Sequence, residues 1–235
     1  MDKSRLGGIA VADKPNTPRR SPGRPLQLSE VDRRERLRDA AENVFVEVGY
    51  TAASMDDIAR RAGMSKKTVY QLFDDKQSLF AAVIAARKAE FAAMFSEDDI
   101  SDTHSAEQVL CNFLGKVAHF MLAPRQIALY RLVIAETQRA PELARTFHDE
   151  GSNKPCQALK EWMARQNEQG TLRIDDLSAN MLWSMVVSEP QTTALISDKA
   201  PDTASISDRV RQAVDLFLAG ARARAASSYV APPAR

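Results

Sequence analysis

Residue patterning predicts an all-α fold, in which a three-helix N-terminal head carrying a helix-turn-helix joins a larger helical C-terminal domain. Three observations lead there. No run alternates apolar and polar residues with the period of two that a half-buried strand requires. The 9 glycines and 11 prolines of the 235 residues punctuate long helical patterns between Leu26 and Tyr229. The stretch 54–73 reads as two short helices hinged at Gly63.

Taken in order, residues 1–27 form a basic arm. Pro15, Pro18, Pro22 and Pro25 fall among Arg and Ser residues, a composition that favours disorder in the unbound chain. Ser29 then caps a helix with Asp32 at its third position, and Leu37, Ala40, Ala41, Val44, Phe45 and Val48 repeat at helical spacing. Ser54 caps the first short helix with Asp57 three residues on. Gly63 stands where a left-handed residue ends a helix, and Ser65 caps the next one at once. Asp75 caps a fourth helix reaching about Phe95. After a polar break at 96–105, helical patterns occupy about 106–122, 124–139, 141–150, 155–169, 176–190 and 206–224, with Pro190 expected to close the longest apolar run. The expected organisation is an arm (1–27), a head (28–75), a helical body (76–226) and a tail (227–235).

At residues 37–79 the chain resembles the TetR family of bacterial transcriptional regulators. The resemblance rests on an amphipathic helix ending in Val48-Gly49-Tyr50, a polar turn through Thr51, the helix-turn-helix, and Phe73-Asp74-Asp75-Lys76 opening a further helix. A second stretch, Arg131-Leu132-Val133-Ile134-Ala135-Glu136 followed by Arg139-Ala140-Pro141-Glu142-Leu143-Ala144-Arg145 and Phe147, is similar to the AefR-type C-terminal domain of one branch of that family. The resemblance implies a DNA-binding head whose second short helix enters the major groove, and a C-terminal domain that binds a ligand and dimerises. It also implies a homodimeric, ligand-responsive regulator of transcription. The leading reading is a repressor released from double-stranded operator DNA by a small molecule; an activator or a ligand-independent binder is the alternative.

Candidate DNA contacts follow from residue type and from the resemblance. Lys66, Lys67, Thr68, Tyr70 and Gln71 open the second short helix with groups that reach phosphates or base edges, and Thr68 and Gln71 suit base reading because hydroxyls and amides discriminate where lysine supplies charge. Many relatives carry histidine at the position of Gln71. Thr51, Ser54 and Lys76 are phosphate anchors that the resemblance implies, Ser54 serving also as a cap. Arg24, in Gly23-Arg24-Pro25, resembles a minor-groove hook with proline in place of the leading arginine; an inert solubilising arm is the alternative. The arm holds six basic residues against Asp2 and Asp13, so the formal charge of +1 conceals a net acidic remainder. A globally basic, non-specific nucleic-acid binder is thereby excluded.

In the body, Phe91, Phe113, Phe120, Met121, Tyr130, Trp162 and Trp183 are the candidate lining of an effector pocket; ordinary core packing is the alternative for any one of them. Such a lining suits an apolar or aromatic molecule better than a highly charged one. The run around Leu177, Met181, Leu182, Trp183, Met185, Val186 and Val187 is apolar nearly all round, which requires burial on two sides. Met185, Val214 and Phe217 are therefore the expected contacts with a second subunit. Cys111 and Cys156 read as buried small side chains, a redox pair being the sharper option. His104, His119 and His148 lack metal-ligand spacing, and no cofactor or metal is expected. A helical enzyme is the rival class: no nucleophile has a neighbouring base, no paired carboxylates share an apolar helix face, and no glycine loop suits phosphate. No apolar run approaches a membrane span of roughly 20 residues, and residues 6–12 are too short for a signal peptide, so a cytoplasmic protein is expected.

Overall fold

Ten α-helices make up the computed structural model over its described residues, 29–149, 154–197 and 201–228. They are α1 (Glu30–Val48), α2 (Met55–Ala62), α3 (Lys66–Leu72), α4 (Lys76–Ala93), α5 (Ala106–Met121), α6 (Pro124–Glu136), α7 (Pro141–Asp149), α8 (Lys154–Glu168), α9 (Asp176–Ile196) and α10 (Thr203–Ser228), with a 3₁₀ turn at Glu97–Ile100. The arm at 1–27, including Arg24, lies outside the described residues.

The helix starts are set by capping chemistry. Ser29 and Asp32 form a reciprocal capping box at α1. Ser54 Oγ accepts from Asp57 N at α2, and Ser65 Oγ accepts from Thr68 N at α3, each at 3.1 Å. Asp75 accepts from Ser78 N at 2.7 Å to start α4. Each bond satisfies an amide that a helix N-terminus leaves without an internal partner.

Two apolar clusters organise the chain. The first gathers α1 (Leu37, Ala41, Phe45), Ile58 of α2, Val69 of α3 and Leu79, Phe80, Val83 and Ile84 of α4, then extends into Leu129, Leu132, Val133 and Leu143 of α6 and α7. At its centre the rings of Phe45, Tyr50 and Phe80 lie 5.3–5.9 Å apart, within the favourable range for aromatic pairs. The second joins α5, α8, α9 and α10 around Phe113, Trp162, Leu182, Val186, Val210, Val214 and Leu218, and reaches back to Phe91. Helix α4, about 27 Å long at the usual rise per residue, contributes to both.

Two expectations are corrected. Pro190 does not end α9, which runs six residues further, to Ile196. Proline removes the hydrogen bond to the carbonyl one turn back, but Pro190 and Ala194 are buried. The Arg131 guanidinium of α6 also donates to the carbonyls of Ala194 (2.6 Å), Leu195 (3.0 Å) and Ser197 (2.6 Å), closing the far end of the helix. Val214, expected to face outward, is 0% exposed in the core of its own chain. The side of α10 two residues on, at Leu216, is the one left open at 65% exposure. No described helix is long and apolar enough to cross a membrane.

Candidate functional site

Two short helices and a three-residue hinge build the first site. Gly63 has φ +64° and ψ 35°, a left-handed conformation that costs a residue with a Cβ, and its amide bonds back to Ala59 and Arg60 to end α2. The fully buried Val69 roots α3 in the first apolar cluster. The opposite side of α3 is thereby turned to solvent, and Lys66, Lys67, Tyr70 and Gln71 are all exposed on it. Lys66 is engaged: its Nζ lies 2.9 Å from Asp56 Oδ1, which raises the ammonium pKa, and 5.9 Å from the Tyr70 ring centroid. Among the described residues Lys67 has no ion-pair partner. Thr68 is half-buried, with its hydroxyl 2.8 Å from Ser65 Oγ.

The three expected anchors sit beside this surface in different states. Ser54 is exposed and serves as the α2 cap, its hydroxyl donating to Asp57 at 2.5 Å. Thr51 donates its hydroxyl to Glu136 of α6, and its amide reaches the same carboxylate at 3.3 Å. Lys76 turns inward: its ammonium donates to the carbonyls of Tyr50 (2.6 Å), Ala53 (2.9 Å) and Thr51 (3.3 Å) and lies 4.5 Å from the Tyr50 ring centroid. Burial lowers its pKa, the carboxylates of Glu136 and Glu142 partly offsetting this. A phosphate would have to compete with three carbonyls for Lys76. Burial also pushes the Tyr50 phenol up to about 12, leaving it protonated.

Glu136 is the residue that sequence reading passed over here. It is only 7% exposed, and a Cβ placed on Gly49, whose φ is +86°, would meet its Oε1 at 2.7 Å. At the other end of α6, Arg125 pairs with Glu42 at 2.6 Å and Asp39 at 3.0 Å, both on α1. The signal was present for Glu136: a carboxylate at helical spacing from Leu129, Leu132 and Val133 occupies a buried stripe.

Between α4, α5, α6, α7 and α9 lies a cavity of about 660 Å³. Phe91, Phe120, Met121, Tyr130 and Trp183 line it, so the fold brings five of the seven expected pocket residues together. Phe113 and Trp162 are each 1% exposed in the second cluster and do not reach it. Arg87, Gln126 and Gln191 line it as well and were not anticipated. Arg87 carried a legible signal, because it falls on the α4 stripe of Leu79, Phe80, Val83, Ile84 and Phe91.

On the far side of the body, Leu177 (65%), Met181 (52%) and Met185 (37%) are exposed at four-residue spacing along α9, beside the exposed Leu216 of α10. Phe217 is half-buried against the second cluster. Cys111 and Cys156, both half-buried, are not joined by a disulfide, and burial raises the Cys111 thiol pKa, disfavouring thiolate.

Comparison with known proteins agrees with this architecture. Residues 37–83 match the model of bacterial regulatory proteins of the tetR family, and residues 108–220 match the C-terminal domain of AefR-like transcriptional repressors. The chain is 50% identical over 58 residues to the transcriptional activator FasR of Mycolicibacterium smegmatis, a match covering 25% of this chain and 26% of that relative. The crystal structure of a TetR-family regulator from Mesorhizobium loti superposes with a TM-score of 0.70 at 24% identity, over 83% of this chain and 98% of that one. The flavonoid-responsive regulator FrrA does so at 0.68 and 26% identity, over 83% and 99%. With residues 37–83 and 108–220 matched by separate models of one family, and 83% of the chain following the same helical plan, the chain belongs to the TetR family of bacterial regulatory proteins.

Proposed function

We propose that the chain is a homodimeric, sequence-specific DNA-binding transcriptional regulator of the cytoplasm, a repressor that leaves its operator when a small apolar or aromatic molecule enters the cavity. Residues 28–75 are the DNA-binding unit, 76–226 the effector and dimerisation unit, and the arm with Arg24 adds a minor-groove contact. The observation that carries this reading is that α4 and α6 belong both to the cluster beneath the helix-turn-helix and to the cavity wall. A ligand that moves either helix moves the head.

Exposed Lys67, Tyr70 and Gln71 supply the groove contacts, and Lys66 joins them by exchanging Asp56 for a phosphate. The two heads of a dimer must stand about 34–36 Å apart, or a multiple of that, to enter successive major grooves on one DNA face. A ligand preferring another spacing releases the operator through its differential affinity for the two states. The exposed apolar stripe of α9 and α10 supplies the two-fold interface. The repressor sense is supported by the AefR-like repressor model matched by the body, and the aromatic effector by the printed description of FrrA as flavonoid-responsive. The relative named as an activator aligns over 58 residues.

Sequencing the DNA that this protein retains from its own genome yields the operator. On that DNA, Lys67→Ala with Tyr70→Phe should weaken binding and reduce the dependence of log affinity on log salt by roughly 0.9 per lost phosphate contact. Unchanged affinity in a folded double variant would remove α3 from the groove.

A further inference from the structure

The cavity carries polar groups that an apolar effector leaves unanswered. Arg87 is 7% exposed on the buried face of α4. Its Nη1 pairs with the half-exposed Glu90 and its guanidinium lies 5.0 Å from the Phe120 ring centroid. Its Nε is buried and finds no acceptor among the described residues. Gln126, 5% exposed on the first turn of α6, has a buried Oε1 in the same condition. Both side chains line the one cavity. A buried donor or acceptor left unsatisfied is costly, the more so on a charged group. With Gln191 Nε2, three such atoms belong to residues lining one cavity, and they mark a place where polar ligand atoms belong.

The charge of the wall selects the kind of atom. Arg87 and Lys88 are cationic, and none of the lining residues is acidic. Tyr130, its phenol pKa raised by burial, stays a neutral donor. The Gln191 amide presents a buried Nε2–H that finds no acceptor among the described residues. Guanidinium N–H, phenol O–H and amide N–H are all donors. Phe91, Phe120, Met121, Leu129, Val133 and Trp183 form an apolar remainder.

We propose that the cavity takes an amphipathic monoanion: an apolar or aromatic body bearing one carboxylate, whose oxygens accept from Arg87 Nε and from Gln191 Nε2. This rests on the cavity being the effector site and names the effector's chemical class. Charge-assisted hydrogen bonds of this kind exceed neutral ones about twofold in strength. The carboxylate should therefore outweigh a hydroxyl on the same body by roughly ten- to a hundredfold in affinity.

The test uses the full chain and three bodies, decyl, naphthyl and biphenyl, each as carboxylate, primary alcohol and primary amine. Binding is read by quenching of tryptophan fluorescence and by calorimetry, and operator release by anisotropy of labelled DNA. Carboxylates should bind at least tenfold tighter than the matched alcohols, and amines weakest. Arg87→Gln, and separately Gln191→Leu, should shrink the carboxylate-to-alcohol ratio severalfold. Alcohols or amines that bind as tightly as carboxylates and release the operator would overturn the monoanion proposal and leave the regulator reading standing. Carboxylates preferred through Arg87 without any operator release would do the reverse. Absence of binding by every probe would sink the cavity as a ligand site and this proposal with it.

Discussion

Glu136 and Lys76 hold the connection between α1 and α2 from opposite chemical sides. The carboxylate accepts from the Thr51 amide and hydroxyl, while the ammonium donates to the carbonyls of Tyr50, Thr51 and Ala53. A short polar connection that would otherwise place amides and carbonyls against apolar walls is satisfied by two ionised side chains. The glycine at position 49 is needed twice over, for a positive φ and for the approach of Glu136. Lys76→Met removes three charge-assisted bonds and leaves carbonyls unpaired, so it should lower unfolding free energy by about 1–3 kcal/mol, measured by urea denaturation of the DNA-free protein. A pure phosphate anchor would leave that stability unchanged and alter DNA affinity alone.

At the scale of elements, α4 serves as the strut between head and body, and its start depends on one carboxylate. Asp75 accepts from the Ser78 amide, which holds its pKa below the ordinary 3.8. A carboxyl whose folded pKa is depressed contributes stability that is full above the unfolded value and disappears as pH falls through the folded value. Asp75→Ala should therefore cost about 1 kcal/mol near neutrality, as lost N-caps do, and less in strong acid. Thermal unfolding of variant and wild type between pH 7 and pH 2 should show the two melting temperatures converging as the pH drops. A constant gap across that range would detach the cap from the ionised carboxylate. Helix α6 does comparable work by different means: Arg125 and Glu136 tie its ends to the head, Tyr130 and Val133 line the cavity between them, and Arg131 closes α9.

For the whole molecule, the proposed two-fold assembly would use the open faces of α9 and α10. Leu216 and Met181 lie on the open side, and Val214 lies inside. Leu216→Glu should then yield a folded monomer by sedimentation, with an unchanged helical circular dichroism spectrum and lost cooperativity on the operator. Val214→Glu buries an unpaired charge in the core and should unfold the body instead. A Leu216→Glu protein that sediments as the wild type does would rule out the proposed interface on this face.

Short-range chemistry made much of this readable in one dimension. The caps at Ser29, Ser54, Ser65 and Asp75, the left-handed Gly63 and the stripe from Leu37 to Phe45 depend on residues within a turn or two of each other, so spacing alone determined the helices and the helix-turn-helix. Tertiary structure decided whatever depends on which neighbour lies across a gap. Helix α9 looked apolar nearly all round, and only packing against α5, α6 and α10 separated the inward Leu182 and Val186 from the outward Leu177 and Met181. Pro190 looked like a terminus because the residue that closes the helix beyond it, Arg131, is some sixty positions away. Phe113 and Trp162 have the same character as Phe120 and Trp183, yet the first pair fills the core and the second lines a void. The void is what remains where five helices cannot all meet, and no local pattern encodes it.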